Sequence, residues 1–247
     1  MRLETLRSTL ALLMLVVLAF TATAACSPTD EPSDLTPSER LENAAARMKQ
    51  VTSLEFTLSH EEGHTPLLLG VVLQGAQGTV QHPDQASMSV DAEVSALNTF
   101  LEMQIEVDGE NATMTDPLSG VPLELPSSQL PFNLHNLGDT LSGILLAIQA
   151  PEYSGNESLD GVSSRGIAGA ISGANIQPLI PGADGTLQQD IEVWVGEDDL
   201  VRRVRITGKV FANDIAPVIR ILDFTAFDEA QPSVRAMPAI GDAGHAV

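Results

Sequence analysis

The sequence predicts a protein of the α+β class, in which antiparallel strands form a sheet that a few helices cover. Three observations support this class. A helix signature begins at Thr36, a two-residue alternation of apolar and polar residues begins at Leu54, and an apolar helix-like segment at 137–148 divides the strands into two groups. Because the same alternation occurs on both sides of that segment, we expect one sheet and a single domain.

The first helix has a clear start signal. Thr36 is suited to cap the helix, Pro37 suits its first turn, and Glu39 is placed to complete a capping box. Five apolar residues then follow at helical spacing: Leu41, Ala44, Ala45, Met48 and Val51. This pattern predicts one short helix with a narrow apolar stripe.

The first group of strands follows this helix. Leu54, Phe56 and Leu58 alternate with polar residues, and further apolar or alternating runs cover residues 67–73, 88–94 and 100–107. Glycine, proline or aspartate bounds each run. This arrangement predicts an antiparallel meander with one apolar face and one solvated face.

The middle of the chain differs from the strands on either side. Residues 123–134 are rich in proline and serine, so we expect an irregular segment there. Residues 137–148 predict a second helix, although Gly138 and Gly143 each cost about 1 kcal/mol relative to alanine. The alternation returns at 162–171, 191–195, 201–210 and 219–227.

The N-terminus predicts a secretory signal. Two arginines precede an apolar run over residues 10–20, which is too short to span a bilayer comfortably, and small residues then lead to Cys26. This order resembles the lipobox of bacterial lipoproteins, in which the cysteine thiol is diacylated and the leader is cut off just before that cysteine, although Thr23 stands where leucine is preferred. We interpret Cys26 as a lipid anchor. The alternative is an ordinary signal peptide cut near Ala25.

These features predict the organisation of the whole chain. Residues 1–25 are the predicted signal peptide, 26–35 the lipidated cysteine with a flexible polar tether, 36–240 a single domain, and 241–247 a tail. Cys26 is the only cysteine, so an intrachain disulfide is excluded and the hydrophobic core must hold the fold. No later apolar stretch is long enough for a membrane span, which predicts attachment by the anchor.

Composition excludes several classes of partner. The chain carries 33 acidic residues against 12 lysines and arginines. Such a surface argues against nucleic acid as a partner and against electrostatic docking on anionic lipid. The low aromatic content, 4%, disfavours sugar-stacking sites, whereas it leaves the binding of aliphatic chains open.

A zinc-protease pattern occurs at His60–Glu61–Glu62–Gly63–His64. The H-E-x-x-H pattern binds zinc when a helix places both imidazoles on one face. Here strand-like residues flank it and Gly63 lies within it, so we expect a turn. We therefore predict no catalytic residue, no metal site and no cofactor. A zinc hydrolase that uses His60 and His64 is kept as the third alternative, after the two functions given below.

The order of features resembles the LppX/LprAFG family of bacterial lipoproteins, related in fold to the LolA and LolB carriers. The resemblance begins with Cys26, the tether and the first helix. It continues through short motifs at residues 51–56 (VTSLEF), 113–118 (TMTDPL), 157–162 (ESLDGV), 191–195 (IEVWV), 200–203 (LVRR), 222–224 (LDF) and 237–238 (MP). From the first of these features to the last, the resemblance spans nearly the whole mature chain.

The resemblance implies a curved antiparallel half-barrel whose helices cover an apolar cavity. It also implies a non-enzymatic protein on the outer face of the cell membrane that binds acyl chains of lipids or glycolipids and transports them in the envelope. Its partners would be the lipid ligand, the membrane that holds its anchor, and a membrane transporter.

Thirteen apolar residues are the predicted lining of that cavity. They are Leu54, Phe56, Leu58, Leu69, Val71, Met88, Val90, Leu101, Met103, Ile105, Leu145, Ile148 and Val193. Each of them also suits an ordinary hydrophobic core. The second functional alternative is therefore a structural or interaction lipoprotein with a filled core.

Overall fold

A computed structural model describes residues 35–66, 71–94, 97, 99–116, 119–214 and 216–229. The predictions for Cys26, Leu69, the signal peptide and the tail lie outside these residues. All described helices and strands, with the contacts between them, lie from residue 35 onward, and the unit they form begins at Thr36. A chain that starts at residue 27 therefore contains the whole described fold.

Helix α1 (Pro37–Met48) begins at the predicted capping box. The Thr36 hydroxyl accepts from the Glu39 backbone N–H at 3.3 Å, and the Glu39 carboxylate accepts from the Thr36 backbone N–H at 2.8 Å. The hydrogen bonds that the carboxylate accepts from the Thr36 backbone N–H and the Thr36 hydroxyl lower the pKa of the Glu39 carboxyl. Arg40 lies 3.9 Å from Asp199, so α1 starts beside the turn that contains Asp199.

Two further α-helices follow, α2 (Leu137–Leu146) and α3 (Gly173–Ile176), together with a 3-10 turn at Ser127–Gln129. Within the described ranges, every helix falls short of the length and apolarity that a bilayer crossing requires.

Twelve strands are present in the described residues. They are β1 (Ser53–Glu62), β2 (Thr65–Pro66), β3 (Val71–Gln81), β4 (Gln85–Val94), β5 (Thr99–Asp108), β6 (Asn111–Thr115), β7 (Pro122–Pro126), β8 (Gln149–Leu159), β9 (Val162–Ser172), β10 (Gln188–Gly196), β11 (Val201–Gly208) and β12 (Val218–Thr225).

These strands form one open, curved, antiparallel sheet, which confirms the predicted fold class. Its order is β7-β6-β5-β4-β3-β1-β12-β11-β10-β9-β8, with β2 paired to β3. The pairing of β1 with β12 joins the two meanders that the sequence predicted. The β4–β5 and β11–β12 connections lie at one end of the strands, here called the upper end, and the β3–β4, β5–β6 and β10–β11 turns lie at the other, here called the lower end. The short strand β6 pairs only with the lower half of β5, so the β6–β7 connection lies about halfway along β5.

Two strands differ from the sequence prediction. Residues 123–134 were expected to be irregular, yet Pro122–Pro126 form the edge strand β7, where proline is tolerated because one side of an edge strand needs no N–H donor. The opposite edge strand, β8, gave no alternation signal because most of its side chains are exposed. Edge strands with little burial lack the pattern on which strand prediction depends.

Helix α1 packs on α2 through its apolar stripe. Leu41, Ala44, Ala45 and Met48 are buried, as predicted. A Cβ added at Gly138 would lie 2.7 Å from the Met48 carbonyl oxygen, so glycine permits this close approach.

We expect Gly138→Ala to lower the free energy of unfolding by about 1–3 kcal/mol, because its methyl group would force the two helices apart. Gly143 in the same helix is the matched control, since a Cβ there would meet no atom within 4 Å. Gly143→Ala should raise stability by about 0.5–1 kcal/mol through helix propensity. Urea denaturation measures both changes, and equal effects at the two positions would contradict this account.

Candidate functional site

An apolar cavity of about 70 Å³ lies between the helices and one face of the sheet, here called the inner face. Helix α2, strands β1, β11 and β12, and residues 173–180, here called the α3 segment because they comprise α3 and the turn after it, enclose it. The lining residues are Leu58, Leu141, Ile144, Leu145, Ile176, Leu179, Ile180, Val201, Val204, Ile206, Arg220 and Leu222. Arg220 is the one polar residue in this set.

The strand register explains why the sheet side of the cavity is apolar. Leu58 pairs with Leu222, Leu222 with Val204, and Val204 with Val193, so these residues form one row across four strands. Because successive side chains in a strand point to opposite faces, a row of this kind covers one face continuously. The alternation seen in the sequence is the origin of this surface.

The register places the predicted lining residues of the sheet on the same inner face. Leu58 and Leu145 line the 70 Å³ cavity. Leu54 lines a separate space of about 20 Å³ beside Met48. The other described members, Phe56, Val71, Met88, Val90, Leu101, Met103, Ile105, Ile148 and Val193, are not among the residues that line these two spaces. Most of this group are buried in the core, and Val71, Leu101 and Met103 are half-buried.

Several lining residues were missed from the sequence. Leu141 and Ile144 lie in the predicted second helix, and Val204, Ile206 and Leu222 lie in predicted strands, so their alternation was a usable signal. Ile176 ends the four-residue helix α3, and Leu179 and Ile180 lie in the turn after it, so these three residues had no periodic signal.

A buried ion pair stands at one end of the cavity. Arg220 and Asp214 are 5% and 2% exposed, and Arg220 Nη2 donates to the two Asp214 carboxylate oxygens at 3.0 and 3.2 Å. Asp214 also accepts the backbone N–H groups of Val210 and Phe211. The pair therefore fixes the β11–β12 loop onto strand β12.

A chain of hydrogen bonds connects this pair to His60. Arg220 Nε donates to Thr65 Oγ1 at 2.8 Å, and Thr65 Oγ1 lies 2.9 Å from His60 Nε2. His60 Nδ1 lies 3.1 Å from the carbonyl oxygen of Gln74. Because a carbonyl only accepts, Nδ1 carries a proton, and in neutral His60 the Nε2 atom accepts from the Thr65 hydroxyl. The geometry therefore places the single proton of neutral His60 on Nδ1.

Burial lowers the pKa of His60 from its ordinary value of 6.5. The hydrogen bond to Gln74 and the charge of Asp214 oppose this shift, and the charges of Arg220 and His64 add to it. The unfolded chain therefore binds a proton at a higher pH than the folded chain does. The stability that depends on a neutral His60 is therefore complete above pH 6.5, and it is lost as the pH falls toward the lower pKa of the folded state.

The free energy of unfolding of the wild type should fall between roughly pH 7.5 and 5, because His60 takes up a proton when the chain unfolds. We expect this fall to be smaller in His60→Gln, which has no imidazole to protonate. Above that range the wild type and the variant should differ by a constant amount, which serves as the internal control. Urea denaturation at a series of pH values measures the slope. An unchanged slope in the variant would show that His60 does not cause the acid sensitivity.

The zinc-protease pattern does not adopt the geometry that zinc proteolysis requires. His60, Glu61 and Glu62 end strand β1, and the chain turns at Gly63 as predicted. The connection leads to β2, which pairs with β3. Across the described ranges, no three His, Cys, Asp or Glu side chains are placed to hold a metal ion.

Comparisons with known proteins agree with this architecture. The crystal structure of LprF from Mycobacterium bovis superposes with a TM-score of 0.58 and 15% identity, over 79% of this chain and 94% of that one. Lipoprotein LppX from Mycobacterium tuberculosis superposes with a TM-score of 0.53 and 17% identity, over 79% and 96%. A LolA-superfamily protein from Nitrosomonas europaea aligns with a TM-score of 0.30 and 13% identity, over 78% and 93%.

No curated protein matches the chain in sequence. The two superpositions above a TM-score of 0.5 establish a shared fold at low identity. The profile of the LppX_LprAFG lipoprotein family matches residues 36–216, from the first turn of α1 to the β11–β12 loop. This protein is therefore a member of the LppX_LprAFG lipoprotein family.

Proposed function

We propose that this protein binds the acyl chains of a lipid or glycolipid in the cavity under α2 and carries that lipid within the bacterial cell envelope. Acylated Cys26 would hold the domain at the outer face of the cell membrane, and a membrane transporter would be its further partner. The function is non-enzymatic: binding would rest on burying methylene groups, each contributing about 0.8 kcal/mol.

The observation that carries this proposal is the apolar cavity between the helices and the inner face. Eleven of its lining residues are leucine, isoleucine or valine, and Arg220 is the remaining one. A surface of this chemistry offers an aliphatic chain contact along its length and offers few groups to a polar ligand. Membership of the lipoprotein family agrees with a carrier of this kind.

The size of the cavity favours a second candidate. Its volume of about 70 Å³ is well below the roughly 300–1,000 Å³ of typical small-molecule sites. Accommodating an acyl chain therefore requires α2 or the α3 segment to move away from the sheet. If neither moves, the same residues form a filled core, and the protein is a structural or interaction lipoprotein.

Lipid analysis separates the two candidates. The protein is isolated from its own host, and the lipids extracted with it are identified by mass spectrometry. The carrier predicts acyl lipid in near-stoichiometric amount beyond the anchor itself. A protein that carries no lipid and does not bind a fluorescent fatty acid would exclude the carrier and leave the filled-core alternative.

A further inference from the structure

A second cavity, of about 300 Å³, lies at the lower end of the sheet and is here called the lower pocket. Val107 contributes to it from the inner face, and residues 127–135, which connect β7 to α2, cover it. Its volume reaches the range of roughly 300–1,000 Å³ that is typical of small-molecule sites. The lower pocket therefore has room for a ligand group without any movement of the helices.

Backbone hydrogen bonds fix the segment that covers the lower pocket. The Ser127 N–H donates to the Glu110 carbonyl oxygen at 2.9 Å, and the Asn136 N–H donates to the Pro83 carbonyl oxygen at 3.0 Å. These bonds tie the two ends of the segment to the β5–β6 and β3–β4 turns. Since ligand sites are usually formed before the ligand arrives, a space held open in this way suits binding.

One turn separates the lower pocket from the cavity of about 70 Å³. Leu179 and Ile180 line that cavity, and the next residue, Pro181, lines the lower pocket. Asn133, which also lines the lower pocket, donates its backbone N–H to the Leu179 carbonyl oxygen at 2.7 Å. The two spaces are therefore neighbours, an arrangement that suits the apolar and polar parts of one amphipathic molecule.

The lining of the lower pocket combines apolar and polar side chains. Its apolar side chains are buried or half-buried: Val107, Leu130, Phe132 and Leu134. Its polar side chains are half-buried or exposed: Asp84, Ser127, Ser128, Asn133 and His135. Carboxylate, hydroxyl, amide and imidazole groups together offer both donors and acceptors. A ligand group with several hydroxyls requires this combination.

The charge of the lower pocket argues against an anionic group. Asp84 lines it, and no lysine or arginine occurs among the described residues that do so. The sequence has neither residue type between Lys49 and Arg165, a stretch that supplies the whole lining except Pro181. A phosphate or carboxylate here would lie near Asp84 without a cation to balance it. The group that fits is therefore uncharged.

We propose that the lower pocket binds an uncharged group with several hydroxyls, a sugar, which the lipid carried by this protein would bear as its headgroup. This inference rests on the proposed carrier function and adds the class of headgroup that the protein selects. The low aromatic content of the chain disfavours sugar-stacking sites in general, yet Phe132 gives this pocket one ring for such a contact.

A competition experiment tests the headgroup preference. The chain from residue 27 onward, loaded with a fluorescent fatty acid, is titrated with glucosyl diacylglycerol and with phosphatidylglycerol that carry the same palmitoyl chains. The glucosyl lipid should compete about tenfold better. In Asp84→Lys this preference should disappear, because the new cation attracts the phosphate. Asp108→Lys is the matched control, since Asp108 ends β5 outside the pocket lining and should keep the wild-type preference.

A second pair of variants fills the lower pocket without changing its charge. Ser128→Trp should remove the preference for the glucosyl lipid, because the indole occupies the pocket. Gln129→Trp lies in the same 3-10 turn but outside the lining, so it should keep the preference. Both variants should bind the fluorescent fatty acid as the wild type does. If Ser128→Trp unfolds, the comparison of Asp84→Lys with Asp108→Lys still decides the question.

Methyl glucoside, followed by saturation-transfer NMR, tests the sugar without a lipid. Binding that Ser128→Trp abolishes and Gln129→Trp keeps supports the pocket even when neither lipid competes; the sugar would then be a free ligand, and only the carrier function would fail. Equal competition by the two lipids in the wild type would overturn the headgroup pocket while leaving the carrier function intact. Absence of both lipid competition and methyl glucoside binding would overturn both proposals.

Discussion

Arg220→Met should lower the free energy of unfolding by about 3–5 kcal/mol, the largest loss of stability expected from a single change in this protein. The substitution leaves the Asp214 carboxylate buried without its cation, although Val210 and Phe211 still donate to it. It also leaves Thr65 Oγ1 without the Arg220 Nε–H donor. Thermal and urea denaturation measure the loss.

Arg205→Met is the matched control, because it makes the same substitution on the neighbouring strand β11. Arg205 pairs at 3.1 Å with Glu61, and both side chains are partly exposed, 31% and 53%. Exposed pairs of this kind contribute about 0–1 kcal/mol. The Arg220→Met/Asp214→Asn double variant should recover part of the loss, since it removes both charges. A loss no greater than that of Arg205→Met would contradict the assigned role of the buried pair.

Leu222→Trp should abolish acyl-chain binding, the largest functional effect that we expect. Leu222 lines the cavity at the centre of the inner-face row, and an indole ring there would occupy a space of only about 70 Å³. Overpacking of this kind costs about 1–3 kcal/mol of stability. This cost is smaller than the total free energy of unfolding of a typical domain, so the variant should still fold. Titration with a fluorescent fatty acid measures binding, and circular dichroism confirms folding.

Ile221→Trp is the control for the added ring. Ile221 directly precedes Leu222 in β12, so its side chain points to the opposite face of the sheet. Ile221 and Leu222 are both half-buried, so the two variants differ chiefly in which face carries the ring. Ile221→Trp should keep wild-type affinity. If Leu222→Trp folds and binds as tightly as Ile221→Trp, the acyl chain does not occupy this cavity.

The fold could be predicted from the sequence wherever burial produced a period. Thr36 and Glu39 gave the start of α1, and the alternation around Leu54 gave β1, because each pattern reflects a local physical preference. The edge strands β7 and β8 could not be found in this way, since their side chains are largely exposed. The pairing of β1 with β12, which unites the sheet, joins residues about 170 positions apart and leaves no local trace.

The candidate site was only partly predictable for a related reason. Alternation identifies the inner face but does not show which part of it a helix covers, so Leu58 and Leu145 were found together with residues that fill the core elsewhere. The pairing of Arg220 with Asp214 depends on the β11–β12 loop, whose sequence has no period. The sequence around His60 was misleading, because it matches a zinc-binding pattern. In the structure His60 instead joins Gln74 to Thr65 and Arg220 through hydrogen bonds.

The start of α1 beside Asp199 gives the domain a direction. Asp199 lies in the β10–β11 turn, so the chain enters the described fold at the lower end of the sheet. The β4–β5 and β11–β12 connections lie at the upper end, about 33 Å away along a ten-residue strand. Every residue before Thr36 is therefore covalently attached at the lower end, opposite the β11–β12 loop that the buried pair of Arg220 and Asp214 holds in place.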